Sequence, residues 1–498
     1  MAVYLRPGVY VEESLNLVTP VQSATSQSIA AFVGVVDRGP LVPTLVTSWS
    51  QYVSLYGGWE NDSPLHVAAL LFFSNGGNQA YFLRAANADA DVATRTFNDR
   101  VTPTADATLT INSKNAGAWG NDINISIANS ATANNVDITV KFGGTANSNV
   151  VERYTDLSMT PGNDRYVIDI INSQSKFISA VDEGSTATGS ARLPVVSTNQ
   201  SLAGGTNGTG SVSEVEISNE VVRFDTVLNS LVLNAPGVTE AAAVNAMTTY
   251  ASNRGDVFVV IDPVFGSVDN QITRADSYTA TSYGAVYYPP ITIKDPAVTT
   301  PGVTREVAPG GAIVGLYLGT DAARGVFKAP AGLSTRVGGA VSVRPLTNAQ
   351  LDGMNSNAAA VNAIKFVPGS GIVVMGSRTL LGSYVDKYVP VRRTLIYLRK
   401  SLSELTQFAI FEPNDEKTWR RIVATLEGFL NNFWRSGGLR GSIPAQAFYV
   451  KCDAELNPQQ SIDAGLVNIE VGVALQRPAE FVVIKIGQFD GGTTVTTA

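Results

Sequence analysis

A multidomain chain that mixes α/β and α+β parts is what this sequence predicts, on three observations. Nearly continuous apolar runs at 29–37 (IAAFVGVVD), 254–262 (RGDVFVVID) and 283–288 (YGAVYY) read as strands buried on both faces. From about 90 to 245 the texture changes to Thr, Ser, Asn and Gly with short alternating runs, as in a β-rich insertion facing solvent. The last quarter of the chain returns to amphipathic helices followed by alternating strands.

Taken in order, residues 3–12 alternate, with Val3, Leu5, Val9 and Val11 on one side and Tyr4, Arg6, Tyr10 and Glu12 on the other. No hairpin partner follows, because 14–28 is polar and lacks turn residues. A strand must pair its backbone groups, and the residues alone leave two partners open: another copy or the rest of the same subunit. After the buried run 29–37, the stretches 49–56 and 64–74 read as helices. The second opens on Pro64 and stops before Asn75-Gly76-Gly77.

"ATLTINS", "INISIAN" and "VDITVKFG" are the short strands of the insertion, and 201–214 is a loop by composition. The stretch 308–325 (APGGAIVGLYLGTDAARG) predicts a helix whose glycines serve close packing rather than propensity. A stripe of Val391, Leu395, Leu398, Leu402 and Leu405 predicts a helix over 391–406. Trp419, Ile422, Val423, Leu426, Leu430 and Phe433 predict another over 415–436, capped by Asn414 or Asp415 and stopped by Gly437-Gly438. Strands are expected at 446–453, 466–475 and 480–489.

Composition narrows the function. Hydrophobic residues make up 44% of the 498, enough for a large core, while charged residues are only 15%, against about 25% in an ordinary domain. Such a surface is either hidden or covered with Ser, Thr and Asn. A net charge of −7 gives no nucleic-acid footprint. Cys452 and His66 are the single cysteine and histidine, which argues against disulfides, cysteine or histidine metal sites and His-based catalysis. No signal-peptide pattern and no apolar run of membrane-spanning length is present. The expectation is a soluble product assembled in a cytosol, with no cofactor, no metal and no membrane insertion.

Sharper motifs have plainer explanations. Arg254-Gly255-Asp256 resembles an adhesion tripeptide but fits a turn before a buried strand. The glycines of 308–325 match neither the P-loop nor the dinucleotide fingerprint. Arg392-Arg393 and Arg420-Arg421 fit solvated faces or protein contacts in an acidic chain, and His66 and Cys452 fit packed positions. Paired carboxylates such as Glu12-Glu13 or Asp415-Glu416 could serve a glycosidase only at separations that sequence does not reveal. An enzyme and a surface-decorating carbohydrate- or receptor-binding protein remain the alternatives to a structural role.

"RPGVYVEE", "FVGVVDRGP", "LSMTPGNDRYV" (157–167), "TDAARGVFKAPA" (320–331), "PGSGIVVMGSRTL" (368–380), "VRRTLIYLRKSL", "FEPNDEKTWRRI", "FLNNFWRSGGLRG" and "VNIEVGVALQRPAEFVVIKI" occur in this order. Together they resemble the tail sheath proteins of contractile phage tails and related injection systems, most strongly from 360 onward.

The resemblance implies a sheath core of α/β type made from N- and C-terminal parts of the chain, with an inserted β-rich outer domain. It divides the chain into an N-terminal arm and linker (1–28), a middle α/β domain (29–90 plus 246–365), the insertion (91–245), an inner α+β domain facing a tube (366–478) and a C-terminal arm (479–498). It implies that Val3, Tyr4, Leu5, Val9, Tyr10 and Val11, and Phe481, Val482, Val483, Ile484 and Ile486, add strands to neighbouring copies. The acceptor sheet carries Phe448, Val450, Val467, Ile469, Val471 and Val473, and Lys417, Arg420 and Arg421 face the tube. The implied partners are further copies in six-fold discs, an inner tube protein, and baseplate and terminator proteins at the ends. The implied location is a virion tail or contractile injection particle assembled in a bacterial cytoplasm. Neither nucleic acid nor a catalytic group is required.

Overall fold

The computed structural model describes residues 28–59, 63–298, 300–382 and 386–480. At its centre lies an eight-stranded sheet in the order Gly371–Val374, Val361–Val367, Gly284–Tyr288, Val257–Ile261, Leu231–Asn234, Ile29–Val35, Ala80–Ala85, Thr44–Val46. The six inner strands run parallel and an antiparallel strand closes each edge. Helices cover both faces, which is why the central strands are buried at every position rather than at alternate ones.

Local sequence sets the connecting helices. Ser63 Oγ accepts the Leu65 N–H ahead of Pro64, opening the helix Pro64–Ser74. The helix Gly310–Arg324 lies directly against it. A Cβ on Gly311 would stand 2.2 Å from the Ala68 carbonyl oxygen, and one on Gly315 would stand 2.7 Å from that of Phe72. The glycine run is thus the seam of two helices in backbone contact.

In sheets of this kind, ligands bind beyond the carboxyl ends of the strands where the chain order reverses. Here the reversal falls between Ile29–Val35 and Leu231–Asn234, and protein fills it. Asp262 accepts the N–H groups of Gly237 (3.0 Å) and Gly310 (2.8 Å), and Asn234 and Asp262 are buried. Burial pushes the Asp262 carboxyl up to about 6, against the pull of those backbone bonds.

The β-rich block hangs on the carboxyl-end side, since it leaves the sheet after Ala85. A four-stranded sheet (Ser197–Ser201, Ile123–Asn129, Asn135–Phe142, Val150–Ser158) and a three-stranded sheet (Thr94–Asn98, Ala107–Ser113, Ile178–Asp182) share a core that includes Ile125, Ile138, Leu157 and Ile171. Its two connections are laced together by Thr209 Oγ1 to Asp89 (2.7 Å) and by Asn87 Nδ2 to Asn207 O (2.9 Å). The Arg38 guanidinium, buried at the sheet's end, lies over the rings of Phe177 (4.8 Å) and Phe142 (5.6 Å) of the block.

Three details differ from the sequence reading. Leu231–Asn234 and the helix Ala241–Arg254 begin within the stretch expected as insertion (91–245), yet they belong to the large sheet and its core. A four-residue strand is too short to reveal its partner by pattern. Val361–Val367 and Gly371–Val374 also complete the large sheet, although 366–374 was expected in the inner domain. The strands expected at 446–453 and 466–475 shorten to Phe448–Lys451 and Glu470–Val473. Pro444 starts a helical turn before the first. Before the second, Asn457 and Asn468 exchange side-chain-to-backbone bonds of 2.6 and 3.0 Å that hold 466–469 as a loop.

Candidate functional site

The C-terminal part sits under the opposite, amino-terminal ends of the parallel strands. Its first helix, Val389–Thr406, buries Val389 and Ile396 in the main core and Leu398 in a separate third core. Buried charge pairs fix this bridge. Arg393, with a side chain only 2% exposed, makes two bonds to Asp321 (2.9 and 2.5 Å) and lies 4.8 Å from the centre of the Tyr317 ring. Arg392 pairs with Asp386, and Lys400 Nζ lies 3.5 Å from Asp256, just before the strand Val257–Ile261. The Arg392-Arg393 pair is therefore internal, not a surface.

The Arg-Gly-Asp stretch is internal as well. Arg254 donates to the carbonyls of Phe224, Val227 and Asn229 and pairs with Asp256 at 2.7 Å, while Gly255 takes φ 75° as the helix's C-cap. His66 is buried with its Nδ1 3.0 Å from the Tyr52 hydroxyl. Cys452 is buried, and burial pushes its thiol up to about 11. Among the described residues no His/Cys/Asp/Glu group could hold a metal ion, and no helix is long and apolar enough to cross a membrane.

The helix Glu416–Arg435 begins where Asp415 accepts the Thr418 N–H at 2.8 Å. It buries Trp419, Ile422, Leu426, Phe429, Leu430 and Phe433, so the apolar face is core. Lys417, Arg420 and Arg421 all lie on the exposed side. Arg420 reaches Glu416 at 2.6 Å with both side chains over 70% exposed, and Arg421 stacks on Phe408 at 4.3 Å. On the loop that feeds this helix, Phe411 stands 89% exposed with φ 66°, a backbone conformation that bulky residues rarely hold. Composition gave no signal for it.

Phe448–Lys451 and Glu470–Val473 pair antiparallel, with Phe448 opposite Val473 and Val450 opposite Val471. Of the expected acceptor residues these four meet in one ladder. Val467 and Ile469 lie outside it but pack against the same third core. Among the described residues no third strand joins this pair; one bridge, Leu439 with Leu475, lies just past its end. Two strands alone are marginal in water, and unpaired edges are templates for another strand.

The described chain begins and ends on this same side. Ile29 N–H donates to Ser230 O (2.9 Å) at the amino ends of two adjacent strands. Near the other end, Glu480 takes two bonds from Arg378 (2.8 and 2.6 Å) and one from the Tyr388 hydroxyl (3.2 Å). Burial raises the Glu480 pKa, and the Arg378 pair outweighs burial, leaving the carboxyl below its usual value. The expected strand residues Val3, Tyr4, Leu5, Val9, Tyr10 and Val11, and Phe481, Val482, Val483, Ile484 and Ile486, lie outside the described residues.

Comparison with known proteins bears on these features. Residues 387–488 match the phage tail sheath C-terminal domain. The tail sheath protein of Vibrio phage KVP40 is 27% identical over 185 residues, a stretch covering 36% of this chain and about a quarter (26%) of that protein. The sheath tail protein of Listeria innocua superposes with a TM-score of 0.62 at 14% identity, covering 92% of this chain and 96% of that one. The contracted helical sheath of the anti-feeding prophage gives 0.60 at 22% identity over 98% and 100%. The contracted PVC sheath of an extracellular contractile injection system gives 0.57 at 22% over 98% and 99%. Residues 387–488 are thus similar to the C-terminal domain of phage tail sheath proteins, and the whole chain has the fold seen in contractile sheath subunits.

Proposed function

We propose that the chain polymerises as a contractile sheath around an inner tube, in stacked six-fold rings, with its terminal segments adding strands to the open ladder of neighbouring copies. One observation supports this reading: among the described residues the two-stranded ladder has no third strand, and the described chain begins, at residue 28, and ends, at Glu480, on its side of the molecule. Each added strand would use main-chain hydrogen bonds for affinity and alternate side chains for specificity. A contact that joins a donor on one copy to an acceptor on the next is heterologous, so it propagates into rings or helices instead of closing a dimer.

Contraction needs no catalytic group in this scheme. Subunits shift toward a wider, shorter helix that buries more surface, while strand links keep neighbours joined. Residues 1–28 and 479–498 act as the two arms, the β-rich block faces outward, and the C-terminal part faces the tube. Lys417, Arg420 and Arg421, with Phe411 beside them, meet acidic and apolar groups of the tube protein. Baseplate and terminator proteins hold the ends, in a phage tail or injection particle assembled in the bacterial cytoplasm.

Deletion of residues 2–12 tests the scheme. The expected result is a folded chain by circular dichroism that forms no contraction-competent tubes by electron microscopy. Normal tubes that contract normally would remove the arm model. A full-length chain that stays monomeric at every concentration and salt would point instead to a decorating or binding role.

A further inference from the structure

A cleft of about 600 Å³ lies at the seam between the large sheet and the C-terminal part. Phe327, Leu351 and Met375 give it apolar walls. Lys365, half-buried, and Arg477, exposed, also line it, and among the described residues neither is in an ion pair. Ser377, 6% exposed, lines the cleft too, and its Oγ has no hydrogen-bond partner. Lys328 is turned to the carbonyls of Ala329 and Ala331 (2.6 and 3.3 Å). Of the two carboxylates in the lining, Glu480 is already held by Arg378 and Asp352 is exposed. Two uncompensated cations and a buried, unpaired hydroxyl call for carboxylate on an otherwise apolar ligand.

The chain holds one segment of that chemistry outside the described residues. Val9-Tyr10-Val11 is followed by Glu12-Glu13, an apolar run ending in paired acids. The segment 481–498 has instead one acid, Asp490, and one base, Lys485. Position agrees with charge. Gln476 lines the cleft and donates to Leu439 O at 3.1 Å, three residues past the open strand Glu470–Val473. A strand laid along that edge and running parallel to Glu470–Val473 would lead its following residues to the cleft.

We propose that the cleft receives Glu12-Glu13 of a second copy, their carboxylates pairing with Lys365 and Arg477 and accepting the Ser377 hydroxyl. The inference rests on strand donation between copies and adds the lock that sets its register. A one-residue slip along a bare ladder exchanges the faces of every side chain, and a charged end-stop opposes such a slip.

The test uses the full-length chain at about 0.1 M salt, with sedimentation and electron microscopy scoring tubes. E12K/E13K and K365E/R477E should each cut tube yield by at least about tenfold, as setting like charges against one another across an interface does. Combining all four should restore most of it. The milder E12Q/E13Q and K365A/R477A, each checked by circular dichroism, should weaken assembly singly and add little when combined. A Glu13→Cys, Asn355→Cys chain oxidised in tubes should give a ladder of linked copies on a non-reducing gel. Wild-type assembly by both reversal variants overturns the cleft while leaving strand donation intact, provided that deleting 2–12 still abolishes tubes. Crosslinks of Glu13→Cys with Asn355→Cys confined within one chain would overturn it as well.

Discussion

The β-rich block and the C-terminal part are mounted on opposite ends of one parallel sheet, and they treat their strands differently. The block pairs its seven strands in sheets of four and three and packs them around its own core of Ile123, Ile125, Val136, Ile138, Val140 and Leu157. The C-terminal part owns a smaller core, shares its first helix, Val389–Thr406, with the core of the body and pairs two strands that no third joins among the described residues. One appendage closes its sheets with its own strands, and the other, over its described residues, leaves a ladder of two. The second is where the family match lies.

Breaking the bridge gives the largest expected effect. Arg393→Ala leaves Asp321 with no guanidinium and opens space beside Tyr317 and Tyr287. Removing one partner of a buried pair costs about 3–5 kcal/mol, which urea denaturation would read as a large fall in midpoint. A loss below about 1 kcal/mol would mean that the C-terminal part stands on its own core, and the contrast with the block would fail.

Next is a pH dependence that belongs to the body between the appendages. Burial raises the Asp262 carboxyl to about 6 in the folded chain, so the folded state binds that proton more tightly than the unfolded one. Its contribution is therefore favourable below the unfolded value near 4 and is lost as pH rises through 6. The loss amounts to about 3 kcal/mol on a shift of roughly two units. Over pH 4 to 7, denaturation should show wild type losing about 3 kcal/mol more than Asp262→Asn. Equal slopes would mean that Asp262 is ionised or solvated throughout.

How much of this was legible follows the same division. Burial on both faces writes itself into sequence as unbroken apolar runs, so 29–37, 254–262 and 283–288 could be placed without a structure. Helix stripes and caps did the same for 415–436, where Asp415 caps and the expected face is core. Leu231–Asn234 was missed because four residues carry no period, and its polar neighbours match the insertion's texture. The charge pairs Arg393–Asp321 and Arg378–Glu480 join residues 72 and 102 positions apart, a separation that local pattern does not encode. The cleft was illegible for the same reason, since its lining comes from four separate stretches. Motif order across the chain, not any single site, supplied the functional reading.

A smaller effect is expected from excision. Asp91 and Thr206 are already hydrogen-bonded at 3.1 Å, so replacing 92–205 with a short turn closes a gap the fold has already closed. The shortened chain should unfold cooperatively, with its Tm within a few degrees of the full chain, and should retain tube formation. Arg38 and Arg84 lose partners on the block, which accounts for a modest drop. Collapse of the body would show that the block is part of its core, contrary to the comparison drawn above.

The smallest effect concerns the exposed side of the helix Glu416–Arg435. Arg420 and Glu416 are 77% and 72% exposed, so their pair is screened and contributes less than about 0.5 kcal/mol. Arg420→Ala should leave the denaturation midpoint unchanged at low and high salt. Reversing Lys417, Arg420 and Arg421 together should likewise spare the fold, because the face that holds the helix is Trp419, Ile422, Leu426 and Phe433. Any loss of tube binding by that triple variant is then a loss of partner contact. If the triple reversal lowers stability by more than about 1 kcal/mol, these cations serve the subunit's own structure, and a binding defect could no longer be laid to the tube.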